Sequence, residues 1–243
     1  MNQITAYLKY YWNAKTKFGV HSAFVYQFVT EVMEDDRHFY VFETINEYRN
    51  LVETTHPKAK ALPPIYGELL FKILHYYKPN TIIELGINHG IHSLYATTVS
   101  ENLEYKGWQC VKDGVQDAKI LETDHTVSKL EIIKGDFDAH RILERIDTID
   151  CLLINGYALE NGFQSYFTQV LSKCHNDTII LIAGLRQTKA NWQDWQMLKE
   201  HKAITLTIDL FHIGLAFFRK EQLAKEHFTI IDHALKPWKL GFG

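Results

Sequence analysis

Two hydrophobic patterns alternate along this chain. Short, nearly unbroken aliphatic runs occur at Thr81–Leu85 (TIIEL), Ile149–Ile154 (IDCLLI) and Asp177–Ala183 (DTIILIA). Runs of this length and composition, bounded by polar residues or glycine, predict strands buried on both faces of a parallel sheet. Glu104–Val111 and Leu130–Ile133 read as two further strands, and Ile204–Leu210 with Gly214–Arg219 as a hairpin turning at Phe211-His212-Ile213. Helical spacing fills the intervals. It covers the aromatic, basic residues 3–17 up to Gly19, then Ala23–Met33 behind a capping Ser22, Phe42–Val52, Pro64–Tyr77, Ala139–Ile146, and Asn191–Leu198, whose Trp192 and Trp195 would pack on the sheet. The pattern predicts an α/β three-layer sandwich. Its sheet is seven-stranded, mostly parallel and Rossmann-like, ends in an antiparallel hairpin, and carries an N-terminal helical extension. Pro63-Pro64 marks the main boundary: residues 1–62 form the extension, 63–230 the α/β domain, and 231–243 a basic, aromatic tail. The end of the chain is expected to be a surface strand or disordered.

The stretch from Thr81 to Thr98 organises the rest. A strand is followed by a glycine turn and then by a helix whose apolar positions begin at Ile91, Leu94 and Tyr95. Gly86 and Gly90 allow a sharp turn and a close backbone approach, and the N–H groups of the next helix face outward from it. Glu84 would point a carboxylate at the same crevice. The alternative is an ordinary β–α turn. The dinucleotide fingerprint G-x-G-x-x-G is absent, which argues against a nicotinamide-dependent oxidoreductase.

Composition narrows the class. A 243-residue chain that is 46% hydrophobic and 13% aromatic can bury a sizeable core as one main domain. A net charge of −3 gives no electrostatic reason to expect nucleic acid or anionic membrane as a partner. No apolar run reaches the roughly 18–20 residues needed to span a bilayer, and the polar N-terminus does not read as a signal peptide. Cys110, Cys151 and Cys174 show no metal spacing and read as reduced, buried thiols of a cytoplasmic protein. His89 and His92 could supply half a metal site, but no further Cys or His stands nearby, so no metal is expected.

The segment Glu84-Leu85-Gly86-Ile87-Asn88-His89-Gly90 resembles motif I of class I S-adenosylmethionine-dependent methyltransferases, in the E-x-G-x-x-x-G form of small O-methyltransferases. His21-Ser22-Ala23-Phe24-Val25-Tyr26 and the stretch Thr207–Gln222 resemble a bacterial group of them, and the likeness runs from about Tyr10 to Ile230. The resemblance implies S-adenosylmethionine as cofactor and a small-molecule methyl acceptor. It places the cofactor over Gly86 and Gly90, with Glu84 at the cleft floor, Asp113 on the ribose hydroxyls and Asp136 near the adenine. Asp113 could instead be a turn residue, and Asp136 a helix cap. In this family the fourth strand commonly ends in an aspartate that binds a cation, substrate or the methionine amine; here Asn155 stands there. The fifth commonly ends in an Asp-Asp pair followed by an apolar residue and His; here Ala183-Gly184-Leu185-Arg186 stands there. An amide is a poor ligand for a hard cation, so a metal-independent enzyme is expected. Asn155 joins the cofactor set, and His89, His92 and Tyr157 are the candidate general bases. The other reading is a non-catalytic descendant that serves as a binding or regulatory partner. Family extensions like residues 1–62 cover the cleft or build a homodimer, and both roles stay open.

Overall fold

A computed structural model describes residues 2–109, 129–159, 161–221 and 224–236. Helices α1 (Gln3–Asn13), α2 (Ala23–Phe28), α3 (Val41–Thr55) and α4 (Pro64–Tyr77) precede the sheet. Pro64 occupies the first turn of α4, where its missing N–H costs nothing and its fixed φ suits a helix. The remaining order is β1 (Thr81–Leu85), α5 (Ile91–Thr97), β2 (Glu104–Gln109), β3 (Lys129–Lys134), α6 (Ala139–Ile142), β4 (Ile149–Asn155), α7 (Gln164–Val170), β5 (Cys174–Ala183), α8 (Lys189–Glu200), β6 (Leu206–Asp209), β7 (Ile213–Phe217) and β8 (Glu226–Thr229).

The strands form one sheet in the order β3-β2-β1-β4-β5-β7-β6-β8. β7 runs antiparallel to both β5 and β6, as the hairpin reading requires. Against the expected seven strands, the described residues form eight, and β8 pairs in parallel with β6 at the edge. Chain order reverses between β1 and β4, which lie side by side with Leu85 opposite Ile154. Open α/β sheets usually place a ligand at such a reversal, in the crevice beyond the carboxyl ends of the central strands.

Alternate residues of the strands feed two cores. On one face Ile82, Leu153 and Leu181 pack with α4, α5 and the N-terminal helices, so Val25, Phe28, Phe42 and Ile45 belong to the same apolar cluster as the sheet. On the other face Ile83, Leu85 and Leu152 pack with Phe167 of α7 and Trp195 of α8. Residues 229–231 are tied to the N-terminal segment: Lys15 N donates to the Thr229 carbonyl at 2.8 Å, Ile231 N donates to the Lys15 carbonyl at 3.0 Å, and the buried Tyr10 hydroxyl donates to the Ile230 carbonyl. Among the described residues no helix is long and apolar enough to cross a membrane.

Candidate functional site

The loop after β1 has an unusual backbone. Gly86, Asn88 and Gly90 all take positive φ, at 91°, 54° and 76°. The N–H groups of Gly86 and Ile87 both donate to the Trp108 carbonyl, at 2.9 and 3.1 Å, which pins the loop to the end of β2. A Cβ on Gly86 would lie 2.8 Å from Ala158 Cβ and 3.3 Å from the Asn155 carbonyl oxygen. Glycine is therefore needed there both for its φ and for the close approach of the loop after β4.

Glu84 does not reach an open cleft. It is fully buried beneath α5, where Oε2 accepts hydrogen bonds from Ser93 Oγ at 2.6 Å and from the Tyr105 hydroxyl. Burial pushes its carboxyl up to about 8, so it holds a proton at neutral pH.

Asn155 is also fully buried, at the end of β4. Its Oδ1 accepts from Tyr157 N at 3.1 Å, while Nδ2 has no hydrogen-bond partner among the described residues. A buried donor without an acceptor is costly unless a ligand supplies one. The half-buried Tyr157 ring stacks on His92 with centroids 5.7 Å apart, and burial raises its phenol to about 12. His92 has a structural bond: Nε2 accepts from Leu62 N at 3.0 Å in a setting only 2% exposed. Burial, then the charge of Arg49, lowers it to about 3, so it stays neutral. The His89 ring lies on the His56 ring at 4.8 Å, and its carbonyl accepts from the Tyr48 hydroxyl at 2.7 Å.

Asp136 is exposed at the end of β3. It is not the cap of the next helix: Asp138 caps α6, accepting from His140 N and Arg141 N. Asp113 lies outside the described residues. Three aromatic residues that sequence reasoning passed over line the same end of the sheet. Trp108, Phe137 and Tyr166 meet with centroids 4.8 to 5.1 Å apart, and Phe137 and Tyr166 are partly exposed. Their apolar faces suit a planar heterocycle. With the unpaired Asn155 donor and the open-φ loop, the described residues fit a nucleoside-bearing ligand at this crevice.

A second region lies past β5. A cavity of about 460 Å³ is bordered by Tyr157, Arg186, Phe211 and His212, and by Gln3, Ile4, Tyr7 and Leu8 of α1. Arg186 forms a fork with Asp209, Nη1 to Oδ1 at 2.8 Å and Nη2 to Oδ2 at 2.5 Å, and Nη1 also donates to the Phe211 carbonyl at 2.8 Å. Trp192 lies 4.3 Å from its guanidinium carbon and Phe211 4.9 Å. His212 packs on Tyr66 at 4.6 Å, and burial, then Arg186, lowers it to about 4. Motif reading found Arg186 but not its partner Asp209.

No family profile and no curated protein matches this chain. Solved structures do. An SAH-bound methyltransferase from Podospora anserina aligns with a TM-score of 0.61 at 14% identity, covering 83% of this chain and 98% of its own. An O-methyltransferase from Streptomyces achromogenes involved in tomaymycin synthesis, in complex with SAM, aligns at 0.58 and 14%, covering 78% and 96%. An O-methyltransferase from Bacillus cereus, in complex with SAH, aligns at 0.58 and 14%, covering 79% and 96%. At such identities the likeness establishes architecture, and with the reversal at β1 and β4 it leads to one conclusion: the chain has the class I O-methyltransferase fold.

Proposed function

We propose that this protein is an S-adenosylmethionine-dependent methyltransferase acting on a small molecule without a metal ion. The observation that carries the reading is the loop Gly86–Gly90, with three positive-φ residues, set at the strand-order reversal beside the unpaired Asn155 amide. S-adenosylmethionine, when bound, supplies a methyl group on a sulfonium centre that a nucleophile can attack in line. In this reading the Gly86–Gly90 loop and Asn155 hold its amino-acid end, Phe137, Tyr166 and Asp136 flank the adenine, and Asp113 takes the ribose diol. Glu84 supports the loop from below as a protonated acid rather than as a direct ligand.

The acceptor would lie in the cavity under α1. Tyr157, un-ionised at neutral pH, is suited to donate a hydrogen bond that orients it. His89 lies against His56 and does not border this cavity, so no proton-transfer step is assigned to it. We assign His92 no proton-transfer role, because its Nε2 already accepts from Leu62 N. Metal independence is supported by donor chemistry: an amide stands at Asn155, Gly184 has no side chain, and the nearby Asp209 carboxylate is already held by Arg186. A non-catalytic role is the second reading, favoured by the same missing carboxylates.

Calorimetric titration with S-adenosylmethionine and S-adenosylhomocysteine tests the choice. Micromolar binding that Asp113→Ala abolishes, at unchanged melting temperature, supports the cofactor reading. Absence of binding at millimolar ligand leaves a methyltransferase fold reused for interaction.

A further inference from the structure

Helix α3 turns Phe42, Ile45, Tyr48 and Val52 inward, and Arg49 lies on that same buried face. Arg49 is only 5% exposed. Among the described residues its ion pair is with Glu53, at 4.0 Å from Nη1, and that carboxylate is 59% exposed. So long a pair with a solvated acid contributes little. Nε and Nη2 are closed off from solvent and have no hydrogen-bond partner among the described residues. A guanidinium cannot shed its charge as a buried lysine or carboxylate can. The fold thus holds a buried cation with two unsatisfied donor atoms, a standing cost to the folded state.

The location of this cation suggests why it is there. Its charge is felt by His92 and Tyr95 of α5 and by Tyr157 after β4. Burial raises the Tyr95 phenol, and the nearby guanidinium offsets part of that rise; the hydroxyl, too, is buried without a well-formed hydrogen bond. Tyr48, the preceding residue, is bonded to the His89 carbonyl, so this turn of α3 is fastened to the loop after β1. Tyr157 also borders the cavity. Unpaired N–H donors and a phenol beside the crevice make an anion receptor, and the planar guanidinium matches the two oxygens of a carboxylate.

We propose that Arg49, assisted by the Tyr95 hydroxyl, binds the carboxylate of a ligand seated at the strand-order reversal. If the cofactor reading above holds, on which this choice of ligand rests, the amino-acid end of the cofactor carries that carboxylate; an acidic acceptor is the other source.

The full-length wild type, Arg49→Met and Arg49→Lys are titrated with three probes: S-adenosylhomocysteine; methylthioadenosine, which keeps the adenosine thioether but has no carboxylate; and benzoate, a carboxylate without adenosine. For a cofactor carboxylate, Arg49→Met weakens S-adenosylhomocysteine on the order of 10- to 100-fold, leaves methylthioadenosine unchanged, and Arg49→Lys recovers part of the loss. For an acceptor carboxylate, benzoate binding alone is lost. In both cases ligand-free Arg49→Met melts no lower than wild type, since an unpaired buried charge has been removed. If wild type binds benzoate through Arg49 but neither adenosine compound, the cofactor reading fails and the anion site stands. Carboxylate binding that does not depend on Arg49, or none at all, overturns the proposal, as does equal weakening of all probes together with a lower melting temperature.

Discussion

Replacing Arg186 with methionine would cut the bridge between the ends of β5 and β6. Methionine keeps the length and the apolar contact with Trp192 and Phe211. It removes the two bonds to Asp209 and the bond to the Phe211 carbonyl. Asp209 is 7% exposed, so its carboxylate would be left buried and facing no cation, retaining only the bond that Oδ1 accepts from Phe211 N at 2.9 Å. Removing one partner of a buried pair costs about 3–5 kcal/mol, mostly through the stranded charge. A chain of this size loses about 2–4 °C of melting temperature per kcal/mol, so Arg186→Met should melt roughly 6–20 °C below wild type by that scale. Differential scanning calorimetry measures it. The double variant Arg186→Met/Asp209→Asn removes the stranded charge yet keeps an acceptor for Phe211 N, and should regain at least half of the loss. A single variant within a degree of wild type, or a double variant no better than the single, would mean that losing Arg186 does not strand a buried charge on Asp209.

Two further perturbations probe the loop and the acid beneath it. Glu84 binds a proton in the fold up to about pH 8 and releases it on unfolding. The native state thus holds more protons between the ordinary carboxylate range and that value, and stability falls as pH rises through this window. Glu84→Gln should flatten the fall in urea midpoint between pH 7 and 8.5, a range in which neutral His92 contributes no slope; parallel curves would count against a protonated Glu84. Gly86→Ala and Gly135→Ala both force alanine into positive φ, at 91° and 115°, a strain of about 1–2 kcal/mol. Only the first also meets Ala158, at 2.8 Å, whereas nothing lies within 4 Å of a Cβ on Gly135. Gly86→Ala should therefore have the lower urea midpoint, and equal midpoints would mean that the β1 and β4 loops are not in close contact.

The elements that could be read along the chain are those whose causes are local. α4 begins at a proline, carries its own apolar stripe and stops before Pro79, and its observed span, Pro64–Tyr77, is the expected one. β1 and β4 are aliphatic runs bounded by polar residues or glycine, and the β6–β7 hairpin turns at Phe211 and His212, all within a few residues of where the pattern placed them. The glycines of the β1 loop were legible because only glycine takes their φ without strain. α7 was not legible, since its first N–H groups are capped from another helix: Phe163 N and Gln164 N donate to Asp194 Oδ2 at 2.5 and 2.9 Å. β8 had no strong apolar run, and its strand state comes from pairing with β6 and from the clasp with Lys15. The site divides in the same way. Backbone shape at Gly86 and Gly90 is a property of residue type and position. Whether Glu84 faces a cleft or a buried hydroxyl, whether Arg186 meets Asp209, and whether Arg49 is solvated or stranded depend on distant residues. Only the closed tertiary structure settles these, because desolvation and pairing act through space and leave no periodicity in the chain.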